Sequence, residues 1–303
     1  MKNALLVTNL RARSVSPRVK AVIQKALSAE IDLKVADTAA RNHATELAAQ
    51  AAAEGFDLVV SFGGDGTMNE VLNGLAGTET ALAILPGGMA NVMCRTLGIP
   101  TDIVEATGLL LNRIKNGTTR TMNLGRIDDR YFLMSCGLGV DAATVRHTEK
   151  NPVAKRRYRD WFFLYSAFKT SFTEYRNRDP YIWMDSGEVS EKVLVAIISN
   201  IKPFTYFKNL PIIVTPQAKL DSGLDVFSMR RFPMTYIPTL LWSTFVSGSH
   251  IHSKHATYLH DIASATFRSE SGEPIPVQLD GEYIGERLEL KVELVNDGLK
   301  ILT

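Results

Sequence analysis

The residue types best suited to chemistry lie in one segment, Ser61 to Gly74, which reads SFGGDGTMNEVLNG. It continues an apolar run typical of a buried strand and leads into a helical pattern. Its glycines let the backbone approach a bulky anion, and the free N–H groups of a helix N-terminus suit phosphate. Asp65 would repel a phosphate unless a cation lay between them, which indicates Mg²⁺. The alternative is a tight turn with a solvated aspartate.

A second glycine corner, LPGGMANVMCRTLGIP, joins the following strand to another helix. Because ligands of open α/β sheets bind beyond the carboxyl ends of the strands, we expect both corners to form one backbone cradle. Thr67 and Glu70 fit a T-x-x-E capping box, which predicts that the helix after the first corner begins at Thr67. The chain contains neither a G-x-G-x-x-G nor a P-loop sequence, so a nucleotide would be held in another way.

Two domains are predicted from the order of the elements. The first 117 residues alternate strand and helix patterns, which predicts a parallel sheet covered on both faces. Most later segments are strand-like, apart from a helical stretch from Ala154 to Tyr175. We therefore expect an α/β domain over residues 1–118 and a mostly β domain over residues 119–303, whose last residues pack back on the first domain.

Two carboxylates stand close together near the end of the chain, in IPVQLDGEYI. Strand alternation would place Asp280 and Glu282 on the same polar face. Two such groups can hold a metal and deprotonate a hydroxyl. The alternative, which the residues alone favour, is a D-G turn at the end of a solvated hairpin strand.

Aromatic and apolar residues recur at three- and four-residue spacing in the segment Lys155 to Tyr175, which predicts an amphipathic helix. They are Trp161, Leu164, Tyr165, Phe168, Phe172 and Tyr175. We expect this stripe to pack on the β-rich domain. The segment also has a basic start that could touch anionic lipid head groups, formed by Lys155, Arg156, Arg157 and Arg159.

The composition excludes several other classes of protein. Hydrophobic residues make up 45% of the chain and charged residues 22%, which is ordinary for a globular protein. A net charge of +2 without a basic block gives no indication of a nucleic-acid partner. The two cysteines are expected to be reduced thiols. The apolar runs are far shorter than a membrane span, so we expect a cytoplasmic protein with no transmembrane anchor.

The chain resembles the bacterial diacylglycerol kinase family, a family of lipid kinases that also includes sphingosine and ceramide kinases. The segments that carry the resemblance are FGGDGTMNEVLNGL, ILPGGMANVMCRTLGIP, GLGVDAATV, PQAKLDSGLDVF and VQLDGE. The resemblance implies an active site in a cleft between the two domains and transfer of the ATP γ-phosphoryl group to a lipid hydroxyl, first of all that of diacylglycerol. It places the chain in phospholipid biosynthesis, peripheral at the membrane surface during turnover, and leaves open a homodimer.

The resemblance also implies roles for individual residues. Asp280 matches the general base, with Glu282 beside it. Mg²⁺ is implied at Asp221 and, through the bound nucleotide, at Asp65. The residues implied to contact ATP are Asn9, Thr38, Gly63, Gly64, Asp65, Gly66, Thr67, Asn69, Glu70, Gly87, Gly88 and Met89; Thr38 is expected to open the second helix.

Two alternatives to an active lipid kinase stay open. Met89 and Val92 depart from the family pattern G-T-x-N-D, and Ser222 replaces a glycine, so the chain could be a nucleotide-binding regulator that has lost catalysis. The GGDGT pentad is shared with NAD kinases, so an NAD kinase-like enzyme is the other alternative. Retention of Asp65 and Asp280 argues against the regulator, and the LDGE and PGGMAN segments argue against the NAD kinase.

Overall fold

The computed structural model describes the backbone of residues 1–231 and 237–303. Within these ranges it does not describe the side chains of Arg156, Arg159, Asp160, Ile237, Pro238 and Leu241. The chain divides into two compact units, one of residues 1–124 with 295–303 and the other of residues 125–294.

The first unit is built on four parallel strands in the order β2-β1-β3-β4. These strands are β1 (Asn3–Thr8), β2 (Asp32–Asp37), β3 (Leu58–Gly63) and β4 (Ala81–Pro86). Five helices alternate with them or follow them: α1 (Pro17–Leu27), α2 (His43–Ala53), α3 (Asp65–Leu75), α4 (Val92–Thr96) and α5 (Ile103–Asn116). Every residue of β3 and β4 is buried, as expected for strands of a parallel sheet covered by helices, and β4 also pairs with the last strand, β18 (Glu289–Leu302). This confirms the predicted α/β class.

Two helix starts differ from the sequence prediction. Helix α3 begins at Asp65 with Gly64 as its N-cap, and no side chain caps it. The predicted capping box is therefore wrong: a carboxylate oxygen of Glu70 instead accepts a hydrogen bond from the backbone N–H of Ala44, at 3.1 Å, in the first turn of α2. Thr38 lies between β2 and α2 and does not open the helix, because α2 begins only at His43.

The second unit is mostly β. Its six-stranded antiparallel sheet has the order β14-β13-β10-β7-β16-β17, and β15 pairs with β18 and β8, which in turn pairs with β9. The strands after β4 are β5 (Thr119–Ile127), β6 (Arg130–Phe132), β7 (Ser135–Gly139), β8 (Ile182–Asp185), β9 (Ser190–Val193), β10 (Val195–Ser199), β11 (Thr205–Phe207), β12 (Leu210–Ile212), β13 (Leu224–Met229), β14 (Ala256–Ile262), β15 (Ser264–Ser269), β16 (Ile275–Leu279), β17 (Glu282–Arg287) and β18 (Glu289–Leu302). Both β5 and β18 contribute residues to each unit.

Helices of the second unit are α6 (Val140–Glu149), α7 (Pro152–Thr170) and α8 (Ile237–Trp242). A π-helical turn, Ser171–Tyr175, continues α7, and another, Ser243–Ser247, continues α8. Strand residues such as Phe132, Ile182 and Phe267 form the hydrophobic core of this unit and are fully buried. Among the described residues, no helix combines the length and the apolar character needed to cross a bilayer.

Candidate active site

The two predicted glycine corners lie against each other in the first unit. The backbone N–H of Gly87 donates a 2.8 Å hydrogen bond to the carbonyl of Gly63. A Cβ added at Gly88 would lie 2.8 Å from the Cα of Gly64, which is closer than real Cβ atoms come to a neighbour. Glycine at these positions therefore permits the contact between the corners, and the predicted continuous cradle is confirmed.

Gly66 has a different environment in the first turn of α3. A Cβ at this position would meet no atom within 4 Å, so packing within the protein does not require glycine there. Glycine in a helix costs roughly 0.5–1 kcal/mol relative to alanine. The open space above Gly66 lies at the helix N-terminus, where backbone N–H groups and the helix dipole favour a phosphate.

The loop after β1 is joined to both corners. Asn9 donates a 3.0 Å hydrogen bond from its side-chain amide to the hydroxyl of Thr67, which is only 6% exposed. Ser14 donates from its backbone N–H to the carbonyl of Gly87 at 3.0 Å. The structure thus brings together Asn9, both corners and the start of α3, all at the carboxyl ends of neighbouring strands.

Sequence reasoning missed two basic residues of this loop. Arg11 and Arg13 are exposed and lie between Asn9 and Ser14, whose hydrogen bonds hold the loop to the cradle. The backbone N–H of Arg11 also donates to the Asn9 side chain at 3.0 Å. Guanidinium groups are well suited to phosphate oxygens. The signal was available as R-A-R directly after the first strand.

Asp65 stands at the first position of α3. Its Oδ1 atom lies 3.5 Å from the backbone nitrogen of Met93, which is long for a hydrogen bond. Burial, together with the negative charge of Asp65, raises the pKa of the Cys94 thiol to about 12. Cys94 and Cys136 are both free and buried, which confirms the expected reduced thiols.

The other residues predicted to contact ATP differ in their exposure and contacts. Met89 is 47% exposed in the second corner, and Asn69 is buried in α3, where its Oδ1 accepts a hydrogen bond from Asn73 at 3.2 Å. Thr38 follows β2 and donates from its backbone N–H to the carbonyl of Thr8 at 2.9 Å. Glu70 reaches α2, as described above. Asn69 and Glu70 therefore have contacts inside the protein that account for their side chains.

Asp280 occupies a turn and not a strand face. With φ values of 48° and 83°, Asp280 and Gly281 form the two-residue connection between β16 and β17, as expected for a D-G hairpin. All residues of β16 are buried, so both of its faces are covered, and Asp280 lies in the turn after the strand and not on the predicted polar face. The turn itself follows the alternative reading, but its aspartate is buried, with 9% exposure, and is not solvated.

Three backbone N–H groups bind the Asp280 carboxylate. Leu133 donates to Oδ2 at 3.0 Å, while Met134 and Ser135 donate to Oδ1 at 2.8 and 2.9 Å. Leu133 and Met134 connect β6 to β7, and Ser135 is the first residue of β7. Hydrogen bonds from backbone donors fix the orientation of a carboxylate and favour its ionised form, which is the form that can accept a proton.

A second carboxylate, Asp141, is linked to this turn. The side chain of Gln278 donates a 2.8 Å hydrogen bond to Asp141 and accepts one from the backbone N–H of Gly281, also at 2.8 Å. A Cβ at Gly137 would lie 1.7 Å from an Asp141 oxygen, so glycine is needed beneath this pair. Burial raises the pKa of Asp141 to about 6, and the hydrogen bond from Gln278 acts in the opposite direction.

The remaining predicted carboxylates do not form a cluster with metal-ligand character. Glu282 is paired with Arg130 at 3.2 Å, and Asp221 is exposed. In the part of the chain that the structure describes, no three His, Cys, Asp or Glu side chains come together as a metal site. Asp221 as a metal ligand therefore stays a prediction.

The aromatic stripe of α7 does not pack as expected. Trp161, Tyr165, Phe168 and Phe172 are between 44% and 62% exposed, although Tyr175 is buried. The expectation that the stripe packs on the β-rich domain is therefore wrong for Phe168 and Phe172, whereas the partly exposed rings of Trp161 and Tyr165 still contact Phe207 of β11 and His147 of α6. In the basic start, Lys155 and Arg157 are exposed, and the side chains of Arg156 and Arg159 lie outside the described residues.

Comparisons with known proteins agree with this geometry. Residues 3–127 match the family model of the diacylglycerol kinase catalytic domain. The chain is 26% identical over 268 residues to a diacylglycerol kinase of Bacillus subtilis, an alignment that covers 87% of this chain and 84% of that protein. It is 27% identical over 242 residues to a diacylglycerol kinase of Staphylococcus carnosus, covering 77% and 72%. The fold is similar to the crystal structure of a diacylglycerol kinase from Bacillus anthracis, with a TM-score of 0.71, 20% identity and coverage of 99% and 96%.

Proposed function

Because the chain belongs to the family of bacterial diacylglycerol kinases and related lipid kinases, we propose that it transfers the γ-phosphoryl group of ATP to a lipid hydroxyl, with diacylglycerol as the acceptor. The observation that carries this proposal is the contact between the two glycine corners, with open space above Gly66 at the N-terminus of α3. A triphosphate needs such backbone donors and close access.

In the proposed reaction the first unit binds the nucleotide. The corners and the first turn of α3 would donate backbone N–H groups to phosphate oxygens, and Arg11 and Arg13 would neutralise part of their charge. Phosphoryl transfer depends mostly on positioning and charge stabilisation, which fixed backbone donors supply without reorganisation.

Magnesium is proposed as the ion that accompanies ATP. Mg²⁺ in kinases is commonly bound through one or two carboxylates, with phosphates and water completing its shell, so a single carboxylate is sufficient for this role. Asp65, at the first turn of α3 beside the cradle, is the residue that would hold it, and the ion would offset the developing charge on the phosphates. The exposed carboxylate of Asp221 has no comparable setting, so we assign it no step.

The second unit would supply the base. The lipid hydroxyl is a weak nucleophile until its proton has an acceptor, and three backbone N–H groups fix the orientation of the Asp280 carboxylate. Glu282, held by Arg130, would adjust the charge near the same turn. We further propose that turnover takes place at the cytoplasmic membrane surface, where the acceptor lipid is found, and that a homodimer is a testable assembly.

A phosphate-transfer assay tests this function against its alternatives. Purified protein is given labelled Mg-ATP with detergent micelles containing diacylglycerol, a sphingoid base or a ceramide, and separately with NAD. We expect label in phosphatidic acid. Label on NAD would favour the NAD kinase-like alternative. Calorimetric binding of Mg-ATP without transfer to any acceptor would favour the regulator.

Calorimetric binding of ATP to Asp65→Asn, with and without Mg²⁺, tests the nucleotide site. This variant is expected to bind ATP with less dependence on Mg²⁺, because the carboxylate that would hold the ion is gone. Unchanged Mg²⁺ dependence in calorimetry would exclude Asp65 from the ion site.

A further inference from the structure

Helix α7 and the π-helical turn that continues it carry large aromatic side chains that are exposed over about half of their surface. Tyr158, Trp161, Tyr165, Phe168 and Phe172 follow one another at alternating three- and four-residue steps, and their exposures lie between 44% and 62%. This spacing puts all five on one stripe. On the other side of the helix, the hydroxyl-bearing Ser166 and Thr170 are buried. The helix with its π-helical turn therefore exposes five aromatic rings, while Phe162, Phe163 and Leu164 are half-buried.

The stripe continues onto two neighbouring elements. The Trp161 ring packs edge-on against Phe207 of β11, with centroids 5.2 Å apart, and Phe207 packs in the same way against Phe245 at 6.3 Å. Large apolar side chains around these rings are also exposed, at 61% to 67%. We call this set the aromatic surface; it consists of Tyr158, Trp161, Tyr165, Phe168, Phe172, Phe207, Leu210, Trp242 and Val246. Single exposed apolar residues are normal, but a connected group of this kind marks an interaction site.

Cations stand against the rings of the aromatic surface. Arg157 lies 5.5 Å from the Tyr158 ring centroid, and Lys169 lies 6.0 Å from that of Tyr165. Arg176 lies 4.9 Å from the Phe172 ring. Lys208 lies 6.0 Å from the Phe207 ring. Rings interleaved with Lys and Arg are the composition that suits the boundary between acyl chains and anionic head groups.

Charge complementarity decides between possible occupants. A bilayer with anionic lipids offers phosphates to all four cations while the rings enter the acyl boundary. A second copy of the chain would bring the same four cations of each molecule into one interface. The positive charge therefore favours the bilayer over self-association.

We propose that the aromatic surface docks the protein peripherally on anionic lipid bilayers. The proposal deepens the proposed function, because a kinase for a bilayer lipid must reach its acceptor there, and it rests on that function for its biological meaning. The docking itself needs neither ATP nor diacylglycerol, so it can be measured separately from catalysis.

Vesicle sedimentation with two matched triple variants tests the rings. The test variant carries Trp161→Ser, Phe168→Ser and Phe172→Ser. The control carries Val22→Ser, Val104→Ser and Leu288→Ser, at apolar positions exposed by 58% to 76% on other elements. With vesicles of phosphatidylglycerol and phosphatidylcholine, and with no ATP or diacylglycerol, we expect the test variant to lose about tenfold or more in partitioning. The control should bind like the wild type, and equal binding by the test variant would overturn the proposal.

The cations are tested in the same way. The variant R157Q/K169Q/R176Q/K208Q is expected to bind anionic vesicles more weakly and with less dependence on salt, since the attraction to the surface is electrostatic. The control K25Q/K34Q/K115Q/K192Q removes the same number of exposed charges elsewhere and should change neither property. If both quadruple variants lose binding equally, net charge and not this surface is responsible, and the proposal fails.

Kinase assays with two forms of the acceptor separate docking from substrate binding. On a short-chain, water-soluble diacylglycerol the aromatic triple variant should retain kcat/KM within about twofold, while its activity on vesicles should fall with its binding. Loss on both forms would show that the rings contact the substrate. The wild type could instead form a dimer without lipid that the variant cannot form, with neither protein binding vesicles. That result would identify a self-association surface. Either result overturns bilayer docking. Vesicle binding through these residues by a protein that phosphorylates no lipid would leave this inference standing while the proposed function fails.

Discussion

The side-chain amide of Gln278 donates a 2.8 Å hydrogen bond to the carboxylate of Asp141. Through its oxygen the same amide accepts a hydrogen bond from Gly281, the residue that follows the proposed base Asp280. Asp141 is therefore connected to the turn of Asp280 through one intermediate side chain. Because burial raises the pKa of Asp141 to about 6, its charge changes in an experimentally accessible range of pH.

The pH dependence of folding should report this group. Between about pH 4 and 6 the folded chain holds a proton on Asp141 that the unfolded chain has released, so the free energy of unfolding falls as pH rises through this window. The effect is on the order of 2–3 kcal/mol for a shift of this size. Asp141→Asn keeps an acceptor for Gln278 but cannot ionise, so its urea-unfolding stability should lack this fall between pH 4.5 and 8. A variant with the wild-type slope in this window would contradict the assignment.

Asp280→Asn should cost both stability and turnover. All three backbone donors now meet carboxylate oxygens, and an asparagine would turn its NH₂ group toward at least one of them. Such a loss costs about 1–3 kcal/mol, measurable by thermal unfolding. At a temperature where the variant is folded, loss of the proton acceptor should lower the rate by about 10²–10⁴-fold with Mg-ATP affinity unchanged.

Asp128→Asn is the matched control for this substitution. Asp128 also has a positive φ, 52°, in a hairpin turn, but its side chain is exposed. We expect a change within about 0.5 kcal/mol and normal turnover. If the Asp280 variant is no less stable than this control, the three hydrogen bonds contribute less to stability than predicted. If it is folded and turns over normally, Asp280 is not the base.

Gly66→Ala and Gly88→Ala should separate ligand access from packing. A Cβ at Gly66 meets open space, so the first variant should be as stable as the wild type or up to about 1 kcal/mol more stable, yet bind Mg-ATP more weakly. A Cβ at Gly88 would lie 2.8 Å from the Gly64 Cα, so the second variant should lose about 1–3 kcal/mol of stability. Unfolding curves and calorimetry measure the two effects. If a folded Gly66→Ala protein binds ATP as tightly as the wild type, the phosphate does not bind at this turn.

A pair of helix glycines provides a test of helix packing in the first unit. A Cβ at Gly74 would lie 2.4 Å from the carbonyl oxygen of Thr45, because α2 and α3 approach closely there. Gly74→Ala should therefore destabilise the protein by about 1–3 kcal/mol. At Gly108 in α5 no atom lies within 4 Å, so Gly108→Ala should stabilise by about 0.5–1 kcal/mol. Chemical denaturation of the two variants should give opposite signs, and the same sign would refute this account of α2 and α3.

The α/β unit could be predicted well because its information is local. Each strand is a short apolar run, each helix has its own periodicity, and the glycine corners lie at the junctions. The helix starts were less predictable, since they depend on partners elsewhere in the chain. Glu70 satisfies α2 and not its own helix, and only the packing of the two helices reveals this.

The surroundings of Asp280 could not be predicted from the sequence for a related reason. The donors to Asp280 come from residues 133–135, about half the chain away, and a D-G turn gives no sign of them. Periodicity likewise identified the stripe of α7 but not the medium it faces. A helical pattern shows that one side differs from the other, whereas burial is decided by the neighbours.

The exposed rings of α7 have a consequence for the local stability of this helix. Burying a phenylalanine-sized side chain contributes roughly 1.5–3 kcal/mol to the free energy of unfolding. Because the rings of α7 stay exposed, the protein alone lacks much of this contribution. Segments with few buried apolar contacts open at low free energy. The backbone amides of α7 should thus exchange their hydrogens with solvent faster than those of α3, whose Met68, Val71, Leu72 and Leu75 are buried. Slower exchange in α7 on contact with an apolar medium would show that this missing stabilisation is supplied from outside the chain.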